Sequence, residues 1–590
     1  MSGKAGMSSG GSQPPADVSP TDVDTGQGTA APARNSHNDG NGRRRLREHL
    51  LALLLSVGLS LLLFGPWILN RMSTWFLSSQ PQDGSIFVWM LRWWPYALGH
   101  HVNPLFTTAA WAPGGINLAW VTSVPTLAVV MTPVTQAFGP LFAYNAAELA
   151  APALAAWTGY LLCRRIVGSF LPALVGGLCF GFSPFLVDQV GQGHPNLAQT
   201  FLIPVAGYLM LRHVEGSVRV RWFVPLLGVV LAAQLYLSTE IFATMTLIGV
   251  LFGVVGLALG GRSYRQRLLR AIGPACGGYA VALALGSPLL YTAFARPRPY
   301  KPVAFTGIEK GAQGAADFLG YVVPGRFTIF GLQLGHRWGH DGNPWYFGIP
   351  LLLLLIVFLI TEWHRRQAWL LAAGLVVTLV LAAGSTLAVF GAHILPWRLV
   401  SALPVLDRAQ PGRLVLYAFL LAGIAVAMWL ARPGTRWLRW GLAVLALLAI
   451  LPNVTSNVWA RQVPVPPLLA SGAYSRYLTP GETVWVVDLR HSRQMIWQAE
   501  TDFSFRLAGG FLGVTPPGLN PPAEQAQLGT GSVSGATVTG IRSFLHSHRV
   551  GAVLAAEEPA ATIRMLAQAT GAAGIRRGGV TVFQLTRPTR

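Results

Sequence analysis

The chain has 590 residues, of which 52% are hydrophobic and only 11% are charged. An average soluble protein carries about 25% charged residues, and the apolar residues here form long runs, so the sequence predicts an all-α polytopic membrane protein. The formal net charge of +21 does not indicate nucleic-acid binding, because the arginines stand in short clusters between apolar runs, as expected for cytoplasmic turns.

The N-terminal segment is predicted to stay unfolded. Residues 1–42 are rich in Gly, Ser, Asn, Asp and Pro and show no apolar periodicity, so they bury too little surface to fold. Arg43, Arg44, Arg45 and Arg47 precede the first apolar run, at about 48–70. This order predicts a cytoplasmic tail and places the loop after the first span on the external side.

Residues 71–142 are predicted to form this first external loop. Most of it is too polar and too rich in Pro and Gly to cross a bilayer, and an acid, Asp83, stands near its start. Tryptophan collects at membrane interfaces, and between residues 80 and 120 the loop contains Trp89, Trp93, Trp94, Trp111 and Trp120. The loop is therefore expected to lie at the external membrane surface.

An apolar run at 121–138 ends this loop and is predicted to lie on the membrane surface. Two prolines interrupt it, and Gly139 and Pro140 follow at once, which leaves no room for an inside loop. If the run spanned the membrane, Arg164 and Arg165 after the next run would face outward, against the positive-inside tendency. A surface helix is the consistent interpretation.

The rest of the region 43–458 is predicted to be transmembrane. Spans are expected at about 143–162, 171–187, 196–212, 222–238, 241–260, 271–294, 344–361, 368–388, 412–431 and 437–458, which makes about eleven with the first. Every inside turn in this arrangement is basic. The run 222–260 leaves an alternative open, namely one long tilted helix in place of two short spans.

The composition becomes that of a soluble protein from about residue 459. Apolar runs at 483–489, 550–555 and 580–585 read as buried strands, with a helical pattern at 560–570. Residues 459–590 are therefore predicted to form an extracytoplasmic α/β domain. Its aromatic residues Trp497, Phe503, Phe505 and Phe511 either stack on sugar rings or form the core of this domain.

Ionisable residues collect on the external side of this topology. The acids and histidines there are Asp83, Asp188, His194, Glu240, Asp317, His336, His340 and Asp341. An ionisable group at the hydrocarbon boundary is costly and marks a functional site. The same face carries the cations Arg296, Arg298, Lys301, Lys310, Arg326, Arg337, Arg408 and Arg413. Contact with lipid headgroups explains any one of them, whereas the set as a whole favours a bound phosphate.

The order of these segments resembles a known family of membrane enzymes. A first loop with QPQDGSIF, a surface helix with VPTLAVVMTPVTQAFG and a span ending in a basic turn, AYNAAELAAPALAAWTGYLLCRRIVGS, are similar to the N-terminal module of GT-C fold glycosyltransferases. The segments NPLFTTAAWAPGGINLAW and LPVLDRAQPGRL are similar to motifs of bacterial members. The resemblance covers about residues 45–450 in layout and implies an enzyme that takes a sugar from a polyprenyl-phosphate carrier on the non-cytoplasmic face.

The resemblance also implies roles for individual residues. Asp83 matches the first-loop acid of the family, which is either the general base on the acceptor hydroxyl or a metal ligand. Many members have a paired acid here, whereas this chain has Gln82 and Asp83, so no cofactor is required and a divalent metal is left open. Asp188 and His194 correspond to the second external loop and orient the acceptor or a metal; alternatively, His194 is a hydrogen-bonded loop histidine.

Four further residues are predicted to bind substrate. Glu240 lies between two apolar runs and either contacts substrate or favours a helix start, since acids stabilise helix N-termini. Arg408 and Arg413 are the candidates for the carrier phosphate, because prolines stiffen their loop at the external mouth; the alternative for Arg408 is a local pair with Asp407. Trp93 is predicted to contact substrate from the first loop.

These observations predict a hexosyl- or pentosyltransferase of the bacterial plasma membrane. It would move a sugar from a polyprenyl-phosphate donor to a glycan or lipid acceptor of the cell envelope. Two alternatives stay open: a transporter or flippase of lipid-linked saccharides, and a membrane scaffold whose external domain binds envelope polymers. Transporters place polar residues at the membrane midplane, often in repeated segments, whereas here they lie on one face and no repeat is visible.

Overall fold

The computed structural model describes residues 36–295, 316, 318–331, 343–384, 397–401, 403, 406, 409–434, 436–453, 459–463, 465–488, 493–512 and 527–585. The predicted tail before residue 36 lies outside this part. The chain divides into two units, Met1–Glu48 and His49–Arg590. In the first unit, a helix begins at Ser36, earlier than the predicted end of the tail, and Arg44 pairs with Glu48 at 3.3 Å.

The part of the chain that the structure describes contains six helices long and apolar enough to cross a membrane. They are Gly42–Arg71, Pro140–Val167, Val220–Leu237, Thr239–Leu259, Arg262–Leu285 and Pro411–Leu430. The pair Phe170–Gly181 and Pro184–Gln192, bent by 41°, adds a seventh if it is one span, and Ile349–Glu362 and Arg366–Ala382 are shorter apolar helices. The protein is therefore multi-pass, but the predicted number of about eleven spans is not confirmed.

The first half of the chain contains twelve α-helices in its described residues. They are α1 Ser36–Ile68, α2 Pro81–Gly99, α3 Pro125–Phe138, α4 Pro140–Val167, α5 Phe170–Gly181, α6 Pro184–Gln192, α7 Pro195–Ala198, α8 Leu202–Val214, α9 Val220–Leu237, α10 Thr239–Leu259, α11 Arg262–Leu285 and α12 Ser287–Leu290. Helices of the second half include Ile349–Glu362, Arg366–Ala382, Trp397–Val400, Val415–Leu430, Arg436–Ala449, Pro467–Ala470, Arg493–Glu500, Val538–Ser547 and Ala560–Thr570.

Several predicted spans are shorter than expected in the structure, as two examples show. The run at 196–212 forms α7 and, after a break, the 13-residue α8; 13 residues rise about 20 Å, less than the roughly 30 Å of a hydrocarbon core. The run at 437–458 forms a helix of 14 residues, Arg436–Ala449. The first run is interrupted at Gln199 and Thr200, and the second continues with Ile450 and Leu451 after its helix has ended, so hydropathy alone overestimates the length of both helices.

The run at 222–260 is two helices, so the alternative of one long tilted helix is wrong. Ser238 is extended, with φ −159°, between the end of α9 and the start of α10. Its hydroxyl accepts a hydrogen bond from the Ile241 N–H at 3.3 Å. This N-cap begins α10 anew.

The first loop contains more regular structure than its sequence predicts. Helix α2 occupies 19 residues of it, and the predicted surface run forms the 14-residue α3; the place of α3 on the membrane surface stays a prediction. Short antiparallel pairs join β1 (Trp75–Phe76) to β4 (Arg461–Gln462) and β2 (Phe106–Thr107) to β3 (Ile116–Asn117). The loop is thus a folded layer.

The C-terminal region forms a five-stranded mixed sheet in the order β6-β5-β7-β9-β8. Its strands are β5 Thr483–Val487, β6 Arg506–Leu507, β7 Ala552–Ala555, β8 Ile575–Arg577 and β9 Val580–Gln584. β5 is parallel to β6 and β7, whereas β7 and β8 are antiparallel to β9. Strands occur at the three predicted places; a separate extracytoplasmic domain stays a prediction.

Helix α2 is packed against the C-terminal region. The buried Gln498 amide accepts a hydrogen bond from Trp89 Nε1 at 2.7 Å and donates to the carbonyls of Ala109 at 2.7 Å and Phe505 at 2.8 Å. Trp89 and Phe503 make an edge-to-face contact with ring centroids 5.3 Å apart. These contacts hold the helix that carries Asp83.

Candidate functional site

Asp83 and His194 form a hydrogen-bonded pair. The distance from His194 Nε2 to Asp83 Oδ2 is 3.0 Å, although the two residues are 111 positions apart in sequence. The Asp83 side chain is 41% exposed and the His194 side chain 18%. A carboxylate that is hydrogen-bonded to an imidazole and still open to solvent can accept a proton from an incoming hydroxyl group.

Local sequence explains how each member of the pair is placed. Asp83 lies in the first turn of α2, two residues after Pro81, where the helix dipole favours an acid. Helix α6 ends at Gln192 and is followed by Gly193, whose φ of +79° is in the left-handed region that favours glycine. His194 follows directly, and its backbone N–H donates to the Gln189 carbonyl at 3.0 Å.

A chain of polar side chains orients the imidazole. Gln189 Nε2 donates to Asp188 Oδ2 at 3.0 Å, and Gln189 Oε1 lies 3.0 Å from His194 Nδ1. An amide oxygen only accepts hydrogen bonds, so with Gln189 Oε1 facing the ring, His194 Nδ1 donates to it. The other ring nitrogen, Nε2, faces Asp83 Oδ2, which is the arrangement of an acid–base pair.

Asp188 is a buried acid at the centre of this group. Its side chain also accepts a hydrogen bond from Gln192 Nε2 at 2.5 Å, while its Oδ1 has no hydrogen-bond partner among the described residues. The positive charges of Arg326 and Arg413 act on it. Asp188 therefore connects the Asp83–His194 pair with two arginines.

Glu240 and Arg413 form an ion pair between Nη1 and Oε2, 173 positions apart in sequence. The Glu240 side chain is 20% exposed and that of Arg413 is 23% exposed. The Gln410 N–H lies 3.4 Å from the other carboxylate oxygen. Glu240 also lies in the first turn of α10, after the cap Ser238. This acid therefore stands at a helix start and also contacts the segment that carries Arg413.

Arg326 is a functional candidate that the site prediction left out. Its Nη2 donates to Ser79 Oγ at 3.3 Å, and Ser79 Oγ donates to the Gly191 carbonyl at 2.9 Å. Its Nε is buried and has no hydrogen-bond partner among the described residues. The sequence pointed to Arg326 only as one of the cations on the external face. No pattern in the sequence pointed to Gln189, which contacts His194.

The other predicted site residues are placed differently. Trp93 is 3% exposed, donates to the Pro104 carbonyl at 2.9 Å and stacks on Trp89 at 5.3 Å between centroids, so its ring faces are used within the protein. Trp497 and Phe505 are likewise buried in the core. Arg408 and its suggested partner Asp407 lie outside the described residues, as do Asp317, His336, His340, Asp341, Arg296, Arg298, Lys301, Lys310 and Arg337.

The described residues contain no group of three or more His, Cys, Asp or Glu side chains that would hold a metal ion. Asp83 and His194 are donors of the right type, but they face each other in a hydrogen bond and do not converge on a common point with a third donor. The divalent metal therefore stays a prediction, and the chemistry below uses only side chains.

The profile of a protein family described as a domain of unknown function (DUF6311) matches residues 53–455. The chain belongs to the DUF6311 family. The DUF6311 region thus spans the first loop and all six candidate spans except the beginning of the first. No curated protein sequence matches the chain.

Solved structures with a similar fold are glycosyltransferases. The oligosaccharyltransferase of Archaeoglobus fulgidus in its apo form is 14% identical, with a TM-score of 0.50 over 89% of this chain and 71% of its own. The mycobacterial arabinofuranosyltransferase AftD is 11% identical, with a TM-score of 0.53 over 91% of this chain and 40% of its own. The DUF6311 chain has the GT-C fold, as the resemblance of its first loop predicts.

Proposed function

We propose that this protein is a membrane glycosyltransferase that moves a sugar from a polyprenyl-phosphate donor to a glycan or lipid acceptor of the cell envelope. Hexose and pentose are both consistent with the residues of the site. A fold by itself does not determine a function, so the proposal depends on one observation. The solvent-accessible Asp83–His194 pair lies in the same polar group as Arg326 and Arg413.

This arrangement supplies both functions that sugar transfer from a phosphate carrier needs. The acceptor oxygen attacks the anomeric carbon and gives its proton to Asp83, with His194 holding the carboxylate in position. The bond between the anomeric carbon and the phosphate oxygen breaks, and the electron pair leaves with the phosphate. Arg413 and Arg326 would stabilise the negative charge that develops there.

Glu240 changes how the phosphate would bind. The external arginines were expected to need an anionic partner, and for Arg413 the structure shows a carboxylate of the protein in that place. A guanidinium group has five N–H donors, so Arg413 can contact Glu240 and a phosphate together. We propose that the phosphate joins this ion pair at some cost in affinity.

An apolar crevice is the proposed place for part of the prenyl chain. It lies between α10 and the helix Arg366–Ala382 and has a cavity volume of about 10 Å³, so the two helices would have to move apart to admit the chain. Its lining comes from Ile248, Leu251, Phe252, Val255, Gly374, Val377 and Thr378. Along α10, Ile248 is about 12 Å from Glu240, so a chain in the crevice can extend toward the Glu240–Arg413 pair.

The proposed location is the bacterial plasma membrane, with a cytoplasmic N-terminus and the C-terminal region outside. Basic residues between the apolar runs support this orientation. The polar group around Asp83 would then face the external side, where envelope glycans are assembled.

Labelled polyprenyl-phosphate sugars test the proposed function. Membranes with and without the protein are incubated with donors that carry a hexose or a pentose, and the label is followed into lipid and polymer fractions. Protein-dependent appearance of label in an acceptor supports a transferase. Movement of intact donor across sealed vesicles without transfer would favour a flippase, and retention of polymer without either would favour a scaffold.

A further inference from the structure

Two buried polar groups lie beneath the Asp83–His194 pair and have no role in the chemistry described above. They are Tyr144 and Glu148 of α4, and both are 0% exposed. Neither the tyrosine hydroxyl nor the carboxylate has a hydrogen-bond partner among the described residues other than each other. A buried polar group that lacks partners costs about 1–3 kcal/mol, so this pair in one membrane helix needs an explanation.

The Tyr144 hydroxyl lies beside the backbone on both sides of the site. A Cβ atom built on Gly193 would lie 2.8 Å from this oxygen, and one built on Gly84 would lie 3.2 Å from it. Gly84 follows Asp83, and Gly193 precedes His194. Glycine at both positions allows the two backbone segments that carry the pair to approach the same hydroxyl group.

Glu148 lies one helical turn after Tyr144, on the same face of α4. The two side chains interact electrostatically, and Asp83 acts on Tyr144 in the same way. Arginine and lysine make no ion pair with Glu148 in the described part of the chain. Since a full charge without a partner is costly in such a place, the useful property of this side chain is its polarity and length.

We propose that Tyr144 is a positioning residue for the Asp83–His194 pair and that Glu148 holds the Tyr144 hydroxyl in place. The hydroxyl fixes the distance between the start of α2 and the Gly193–His194 turn. Loss of this group would let the acid and the imidazole separate, and misplacement by about 1 Å can reduce a rate a hundredfold. The expected effect on transfer rests on the proposed function, whereas the geometry does not.

Four variants test the positioning role. Tyr144→Phe removes the hydroxyl, Glu148→Leu removes the polar group below it, and Glu148→Gln keeps its length and polarity. Tyr160→Phe is the matched control, because Tyr160 is another fully buried tyrosine of α4. The measurements are kcat and KM for sugar transfer, thermal stability in detergent, and the rate at which diethyl pyrocarbonate modifies His194 at one fixed pH.

The expected result separates positioning from general stabilisation. Tyr144→Phe and Glu148→Leu lower kcat about tenfold at unchanged KM and raise the modification rate of His194. Glu148→Gln stays near the wild type, and Tyr160→Phe lowers stability at most. Wild-type kcat and a wild-type modification rate in Tyr144→Phe would overturn the proposal, as would equal effects of Tyr160→Phe. If the wild-type protein transfers no sugar, the proposed function fails while His194 modification still tests the positioning.

Discussion

The ion pair between Glu240 and Arg413 allows a perturbation whose direction distinguishes two roles for the glutamate. Glu240→Gln keeps the size of the side chain and removes its charge. If the carboxylate competes with the donor phosphate for Arg413, the variant binds a polyprenyl phosphate more tightly. If Glu240 instead contacts the acceptor, phosphate binding stays the same and sugar transfer falls.

The structure sets the size of this effect. Two unit charges about 4 Å apart interact by roughly 4 kcal/mol at the effective dielectric constant of a protein surface. Both side chains are about one-fifth exposed, so solvent screens part of this energy, and the phosphate still gains its own contact with Arg413. A net gain of about 1.4 kcal/mol corresponds to a tenfold lower Kd.

The assay is direct binding of a polyprenyl phosphate to the purified protein in detergent micelles. Glu240→Asp, which retains the charge, is the control and should bind close to the wild type, while Arg413→Gln should bind weakly. We expect the Kd of Glu240→Gln to fall about tenfold. An unchanged or higher Kd in Glu240→Gln would refute the competition between carboxylate and phosphate.

Two further predictions concern the supports of the site. Gln498→Leu breaks three buried hydrogen bonds and should lower the free energy of unfolding by about 2–4 kcal/mol; an unchanged melting temperature in detergent would contradict this. Gly193→Ala places a Cβ 2.7 Å from Ser78 Oγ at φ +79° and should abolish transfer. Gly168→Ala, at φ +71° with nothing within 4 Å, should cost only about 1–2 kcal/mol and leave transfer intact.

The layout of the chain could be predicted because its physical causes are local. Long apolar runs between basic turns predict α4, α9, α10 and α11, since a span needs about 20 apolar residues. Glu240 indicated a helix start between α9 and α10, as an acid in the first turn of α10. Where a predicted span is broken, as before α8 at Gln199 and Thr200, the averaged hydropathy stays high across the break, so the bounds of the helix could not be obtained from it.

Helix α2 was not predicted because its sequence lacks a polar face. Its residues from Ile86 to Leu91 are all buried, since the C-terminal region covers the side that solvent would otherwise reach. A helix enclosed by other parts of the chain shows no amphipathic periodicity. Only the fold reveals that the tryptophans of the loop are packing residues.

The residues of the site could be listed from the sequence, but their partners could not. Asp83, His194 and Asp188 were chosen as ionisable groups at external helix ends, and the structure brings them together across more than a hundred positions. Arg413 was assigned to a phosphate, whereas its observed partner is Glu240. Partner choice depends on distances between helices, which no local pattern contains.

Transfer by Asp83→Asn is the most direct test of the central claim. Asparagine keeps the shape of the side chain and one acceptor oxygen but cannot serve as the base. In membranes with equal amounts of inserted protein, we expect transfer from a labelled polyprenyl-phosphate sugar to fall by about 100-fold or more, while Gln82→Asn next to it stays near the wild type. Full transfer by folded Asp83→Asn would contradict the account.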